Sequence, residues 1–445
     1  MTDTRTTSAD PRERYVSMFG AFESSLNGAR DLPFHERRRE AIARFGELGF
    51  PTRRDERWKY TDLKPLIKQD FEPATAATAV SSEAVDAVAV PELNDQRLVF
   101  VNGHYVAELS NYKPAVDGVV VGSLAAHLRT HGELIDAHLT RYADHSDNAM
   151  VALNTAYTQD GLFIYVPDDG AMEVTPQVIF LNDATQPVMS TQRNLILAGK
   201  NARVKLVEVH AATGGGEAYF SNSVVEVVAA ESARIDHVKI QREDPKGYHH
   251  YHLQAHQESH SNYTIVSIDV GGRLVRNTYN LSLDAPECEG HLIGFYIGGK
   301  RQHIDNSSFI NHAQPHCMSN ELYKGILGGK AQGVFNGKIY VAEDAQKTNA
   351  YQNNKALLLS DDARINTKPE LEIFADDVRC SHGATVGQLD PEALFYLMAR
   401  GIDRDKAMGM LQHAFASDVF SYIPSEAVQA YVDHLVFDRF DDIVK

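Results

Sequence analysis

From Leu162 to Val386 apolar and polar residues alternate with a period of two almost without a break, as in LFIYV, QVIFL, RVKLVEV, SVVEVV, HLIGFYI, GVFNGKIYV and ARINTKPELEI. Successive side chains on a strand point to opposite faces, so this stretch predicts a long series of strands. The breaks between them are regular. Small or acidic residues follow an apolar strand at Asp169, Gly199, Glu231, Gly271, Gly298, Gly328 and Asp361, at intervals of 30, 32, 40, 27, 30 and 33 residues. An interval of this size predicts stacked turns, each burying its apolar face only against its neighbours, and hence a β-helix with loops. An irregular β-sandwich with evenly spaced turns is the competing arrangement.

The flanks follow a different period. Tyr15, Met18, Phe19 and Phe22, then Ile42, Phe45 and Leu48, recur at helical spacing and stop at Gly49 and Pro51. Pro73 to Val90, rich in Ala, Thr, Ser and Val, reads as a linker. In RLVFVNGHYVAEL, Asn102-Gly103 lies between two alternating runs and predicts a type I′ hairpin. A helical insertion is expected at about 122–158. Asp390-Pro391-Glu392 opens the first of three terminal helices, with apolar faces at Leu394, Leu397 and Met398, at Met408, Leu411 and Phe415, and at Val428, Tyr431, Val432 and Leu435. These helices either cap the strands or dock another protein. The predicted division is 1–92 (polar tail, helical region and linker), 93–386 (β-helix core) and 387–445 (C-terminal helical domain).

Charge narrows the function. Lys and Arg number 43 against 60 Asp and Glu, a net charge of −17, which leaves no electrostatic footprint for a phosphate backbone and argues against nucleic acid. The polar start MTDTRTTSADPRER has no apolar signal core, and no run approaches the ~18 apolar residues of a spanning helix, so a cytoplasmic protein off the membrane is expected. Cys288, Cys317 and Cys380 include no C-x-x-C pair. Neither a disulfide framework nor a four-cysteine metal site follows, and cysteine-dependent metal chemistry would need a partner.

Candidate chemistry is sparse. Gly325 to Ala331 imitates a phosphate loop, but Lys324 replaces its first glycine and Ala331 its hydroxyl residue, so ATP hydrolysis would have to come from another chain. His249, His250, His252, His256 and His260 form the densest titratable run, and are expected to be a solvated, turn-adjacent stretch rather than metal ligands. His312, His316 and Cys317 lack a fourth ligand and are expected to be satisfied by neighbouring turns. Asp361-Asp362 and Asp376-Asp377 are read as local turn residues, with calcium binding or acid-base work of the kind found in β-helical carbohydrate-active enzymes as the alternatives.

The stretch RINTKPELEIFADDVRCSHGATVG (364–387), with Arg57-Trp58-Lys59-Tyr60-Thr61 and Leu394-Phe395-Tyr396…Arg400-Gly401, resembles the SufB/SufD family of iron–sulfur cluster assembly scaffolds from about residue 50 onward. The resemblance implies a mainly β protein with a right-handed parallel β-helix core flanked by N-terminal and C-terminal helical domains. It implies a scaffold rather than an enzyme, with the paralogue SufB and the ATPase SufC as partners and a self-paired homodimer as an alternative for the isolated chain. Asn354 stands where SufB-like sequences carry a cysteine, and Gly383 where they have an acidic residue, which favours the SufD side of the family. No tightly bound cofactor is expected in the isolated chain. A transient cluster or iron is expected at the SufB interface, with His382 and possible help from Cys380 as ligands. Their i, i+2 spacing puts them on one face of a strand. Segments 338–342 and 364–374, Glu372 among them, are expected to dock SufB, and Phe415, Phe420 and Tyr431 to anchor SufC.

Overall fold

The computed structural model describes residues 10–443; the first part of the polar tail lies outside them. Strands from Leu162 to Gly387 alternate between two ten-stranded sheets, and within each sheet every one of them pairs in parallel with the next but one in sequence. The result is a parallel β-solenoid of about eight turns, as the turn spacing predicted. Partners in the ladders are offset by 26 residues (Tyr248 and Leu274) to 32 (Gln332 and Arg364).

One corner sets this register. Asp169, Asn201, Ser232, His260, Glu287, His316 and Lys347 all hold a left-handed backbone, with φ between 57 and 63°. Each donates its N–H to a carbonyl of the following turn, from Asp169 to Lys200 O at 2.7 Å through to Lys347 to Asp377 O at 2.7 Å. The left-handed conformation turns the N–H along the stacking axis. None of the seven is β-branched, the class that tolerates this region least.

The 40-residue interval in the sequence arises because the series changes corner. Asp169, Gly199 and Glu231 belong to the left-handed corner, whereas Gly271, Gly298, Gly328 and Asp361 lie at the opposite one.

Inner positions of both sheets form one core, from Leu98 and Phe180 through Tyr251 and Tyr279 to Phe335 and Ala350. The outer face of one sheet is covered by the helices Pro11–Ser25, Phe34–Leu48 and Ala149–Tyr157. The outer face of the other is covered by the helices Arg404–Phe420 and Glu426–Ile443, which press Val419, Phe420, Val432 and Phe440 onto Phe295, Ile297 and Ile326. The terminal helices therefore fold back along the solenoid instead of capping its last turn.

The stretch read as a linker also packs. Ser82–Asp86 is a short helix, and Val85, Val88, Ala89 and Val90 are buried under the same sheet. At the early end the sheets are closed by antiparallel pairs. His104–Tyr105 folds back on Arg97–Val101 through Asn102 and Gly103, with φ of 50° and 87° as a type I′ turn requires. Val120–Ser123 pairs with Leu162–Val166.

Two clasps hold the additions to the strands. Trp58 stacks on His250 with centroids 6.3 Å apart and lies under the Arg276 guanidinium at 4.7 Å. Arg276 pairs with Asp305 at 2.5 Å, and Thr61 donates to the same carboxylate. The R-W-K-Y-T segment thus ties the N-terminal region to three successive turns.

The second clasp is a fully buried ion pair. Arg193 meets Glu226 at 2.8 Å, and Glu226 also accepts from the backbone of Thr140, Tyr142 and Ala143 in the helical insertion. Removing one member strands the other charge in a dry site, at a cost of about 3–5 kcal/mol. Arg193→Ala and Glu226→Ala are expected to lose about that much each in urea unfolding, and the double variant to lose far less than their sum. An additive double variant would show that the pair is not coupled.

Candidate functional site at the open end

The last two strands, Arg364–Ile373 and Arg379–Gly387, end their sheets, each with a neighbour on one side only. They frame an open mouth. Register places Cys380 beside Ala350 and His382 beside Gln352. Ala350 and Gln352 are fully buried inner residues, so Cys380 and His382 belong to the inner face of the terminal turn. Cys380 is half-buried, and burial pushes its thiol up; His382 is exposed. Asn354 is also an inner residue, and donates to Thr367 Oγ1 at 2.9 Å across the mouth.

The turns behind the mouth are polar inside. Glu321 is fully buried and accepts from Ser308 Oγ and from Gln352 Nε2 at 2.7 Å, with no cation beside it. Burial pushes its carboxyl up to about 7, more than those two hydrogen bonds pull it down. Further in, Glu208 lies 3.3 Å from His210 and 3.5 Å from His237 and accepts from Tyr251 at 3.0 Å. Burial raises this carboxyl, but His237 and His210 more than reverse that and hold it well below the usual range.

The histidine run corrects its sequence reading. His249, His250 and His252 are buried in the strand Gly247–Gln257. His249 meets Glu243 at 2.9 Å inside, and His250 bonds Asn222 under Trp58. His249 is enclosed by the neighbouring turns inside the solenoid and His250 by Trp58 over the outer face, and local sequence reveals neither. His256 pairs with Asp284, and His260 is a corner residue. His312 bonds Ser319 at 2.8 Å, and Cys317 is buried beside Cys288. Asp362 pairs with Lys330 and Asp377 with Lys347 at the turns. Among the described residues no group of three or more His, Cys, Asp or Glu side chains is arranged to hold a metal ion, so the mouth supplies at most part of a ligand set.

The three helix residues expected to anchor a partner are occupied within this chain. Phe420 is 1% exposed, edge-on to Phe295 at 5.5 Å. Tyr431 donates to Val88 O at 3.1 Å and accepts from Arg242 at 2.7 Å. Phe415 packs on the same core beneath Lys324. Sequence marked the apolar faces but not what lies against them. Of the terminal helices the first, Pro391–Ala399, leaves the most exposed aromatics: it buries no residue and exposes Phe395 (73%) and Tyr396 (57%), while Met410 and Phe437 stand out from the other two. Glu372 lies half-buried on a terminal strand and pairs with Lys338 of the preceding turn.

Two surface cavities of about 610 and 510 Å3 share Arg273 and Arg301, and neither reaches Cys380 or His382. Among the described residues no helix is long and apolar enough to cross a membrane.

Glu321 gives the site a pH signature. Between about pH 4.5 and 7 the folded chain keeps a proton that the unfolded chain has released. Its stabilising contribution is complete below that window and is lost as pH rises through it, by about 3 kcal/mol in all. Chemical unfolding of Glu321→Gln beside the wild type should show the difference shifting by about that amount in the variant's favour from pH 4.5 to 7. A difference that stays constant would contradict the buried titration.

Comparison with known proteins matches residues 180–415 to the family described as SUF system FeS cluster assembly, SufBD core domain, and residues 9–178 to the SufBD protein N-terminal region. An iron-sulfur cluster assembly SufBD family protein of Synechocystis sp. is 33% identical, over 94% of this chain and 93% of its own. The iron-sulfur cluster assembly protein SufD of Escherichia coli is 29% identical over 86% and 88%. The protein of the same name from Bacillus subtilis is 25% identical over 84% and 85%.

Proposed function

The chain belongs to the SufBD family of iron–sulfur cluster assembly proteins, and from that premise we propose that it is a non-catalytic scaffold subunit whose open mouth pairs with SufB and whose terminal helices bind the ATPase SufC. The observation that carries this reading is the pair of unsatisfied strand edges framing Cys380 and His382. Unpaired edges are templates for another sheet. The donors they frame are too few for a metal site, so a facing chain has to supply the rest.

Imidazole is an occasional iron–sulfur ligand, and thiolate the usual one. His382 is therefore assigned as this chain's ligand to iron or a nascent cluster, both as cargo. Cys380 is assigned a weaker supporting part, because burial opposes its thiolate. A ligand at an interface contributes to the site more than to the fold. The His382→Ala complex is expected to assemble normally but to yield several-fold less cluster absorbance on anaerobic reconstitution with ferrous iron and sulfide. Wild-type yield would remove the ligand role.

SufC docking is assigned to the helix Pro391–Ala399, with Phe395 and Tyr396 as anchors in place of Phe415, Phe420 and Tyr431. Buried aromatic anchors contribute about 2 kcal/mol or more each. Phe395→Asp is expected to weaken SufC binding at least tenfold in titration calorimetry, with the fold unchanged by circular dichroism. Unchanged affinity would place the contact elsewhere.

A further inference from the structure

His382 continues a column. In its sheet the residue registered below it is Gln352, and below that Glu321. Registered residues on parallel strands share a face, so the three follow one another along the inner wall toward the mouth. Gln352 spends its amide nitrogen on Glu321, at 2.7 Å, and its fully buried Oε1 has no partner in the chain. Glu321 is fixed in turn by Ser308 of the facing sheet.

The facing sheet is shaped to fit. At Gly337 a Cβ atom would stand 2.5 Å from Gln352 Nε2 and 3.0 Å from Ser308 Oγ. A side chain there would press the amide and the Ser308 hydroxyl out of these positions. Cys380 has no such support, since Ala350 lies below it.

We propose that Gln352, anchored by Glu321, positions His382: its free Oε1 accepts one ring N–H when the partner closes the mouth, so that the other ring nitrogen presents its lone pair to the bound iron. A neutral imidazole carries one N–H and one lone pair, and the hydrogen bond made by the first decides which nitrogen is left for a metal. The buried oxygen is the unpartnered acceptor that registers with His382; Asn354 Oδ1, also unpartnered, registers with Ala384. This inference rests on the ligand role assigned to His382, and names the group that makes the role directional.

The test uses the full complex with SufB and SufC, with histidine ring nitrogens 15N-labelled in this chain. Long-range 1H–15N correlation spectra report the tautomer of His382, and titration with ferrous iron alone reports affinity. The wild type should show a single tautomer. Gln352→Leu should show mixed ring signals and bind iron about 10–100-fold more weakly, the range found when such supporting bonds are lost. Gln352→Glu, which restores an acceptor, should recover the single tautomer. Gly337→Ala, which leaves Gln352 in the sequence but takes its space, should shift the same signals and so serves if Gln352→Leu does not fold. The two assignments fail separately. A His382→Ala complex that binds iron like the wild type overturns the ligand role. A normal loss in His382→Ala, with ring signals and iron binding unaltered in both Gln352→Leu and Gly337→Ala, overturns the positioning role alone.

Discussion

Each turn of the solenoid is tied to the next at one corner by a backbone N–H that reaches the neighbouring carbonyl from a left-handed residue. The constraint recurs through the stack and fixes turn on turn without slippage. A slip of one residue in a strand would exchange its inner and outer faces. Here it would turn Glu208 and Glu321 outward and bring Phe295 and Ile297 out from under the terminal helices. The columns of inner polar groups, the apolar outer faces that receive the helices, and the placement of His382 at the mouth all follow from this repeated corner.

The strands and the hairpin at Asn102-Gly103 were legible because they depend on local rules: alternation, and the ease with which Asn and Gly take positive φ. The repeat was legible too, but its phase was not. Residues of both corners are small or polar, and both corners hold left-handed residues, so composition does not separate them and the series of breaks crossed from one to the other at its 40-residue step. Burial by distant segments was beyond local reading in general. His249, His250 and His252 look solvated in a polar string, yet helices hundreds of residues away or adjacent turns enclose them. The stretch before Val90 looks like a linker because Ala and Val are small, and small residues also suit a tight fit under a sheet.

At the mouth the division is similar. Cys380 and His382 were legible as a same-face pair from their spacing alone. Gln352, Glu321 and Gly337 were not, because their grouping is a matter of which strand registers with which, across 30 residues or so of intervening chain. A carboxyl buried without a cation costs stability that an apolar residue there would not. Together with the unpartnered amide oxygen below His382, it marks the last turns as a place where packing alone does not account for the residues used.

The two ends of the stack are unlike, and on the proposed pairing the difference bears on how many chains join. Antiparallel strands of only two and four residues, His104–Tyr105 and Val120–Ser123, terminate the early end, whereas the late end stops on parallel strands of ten and nine residues. A solenoid sticky at both ends would add copies head to tail and grow into a filament, because nothing in such a contact limits its number. On the pairing proposed above, which uses the long late edges, joining would consume those edges on each side. Assembly along the axis would then stop at two, with the junction at the middle, enclosed by a solenoid on either side.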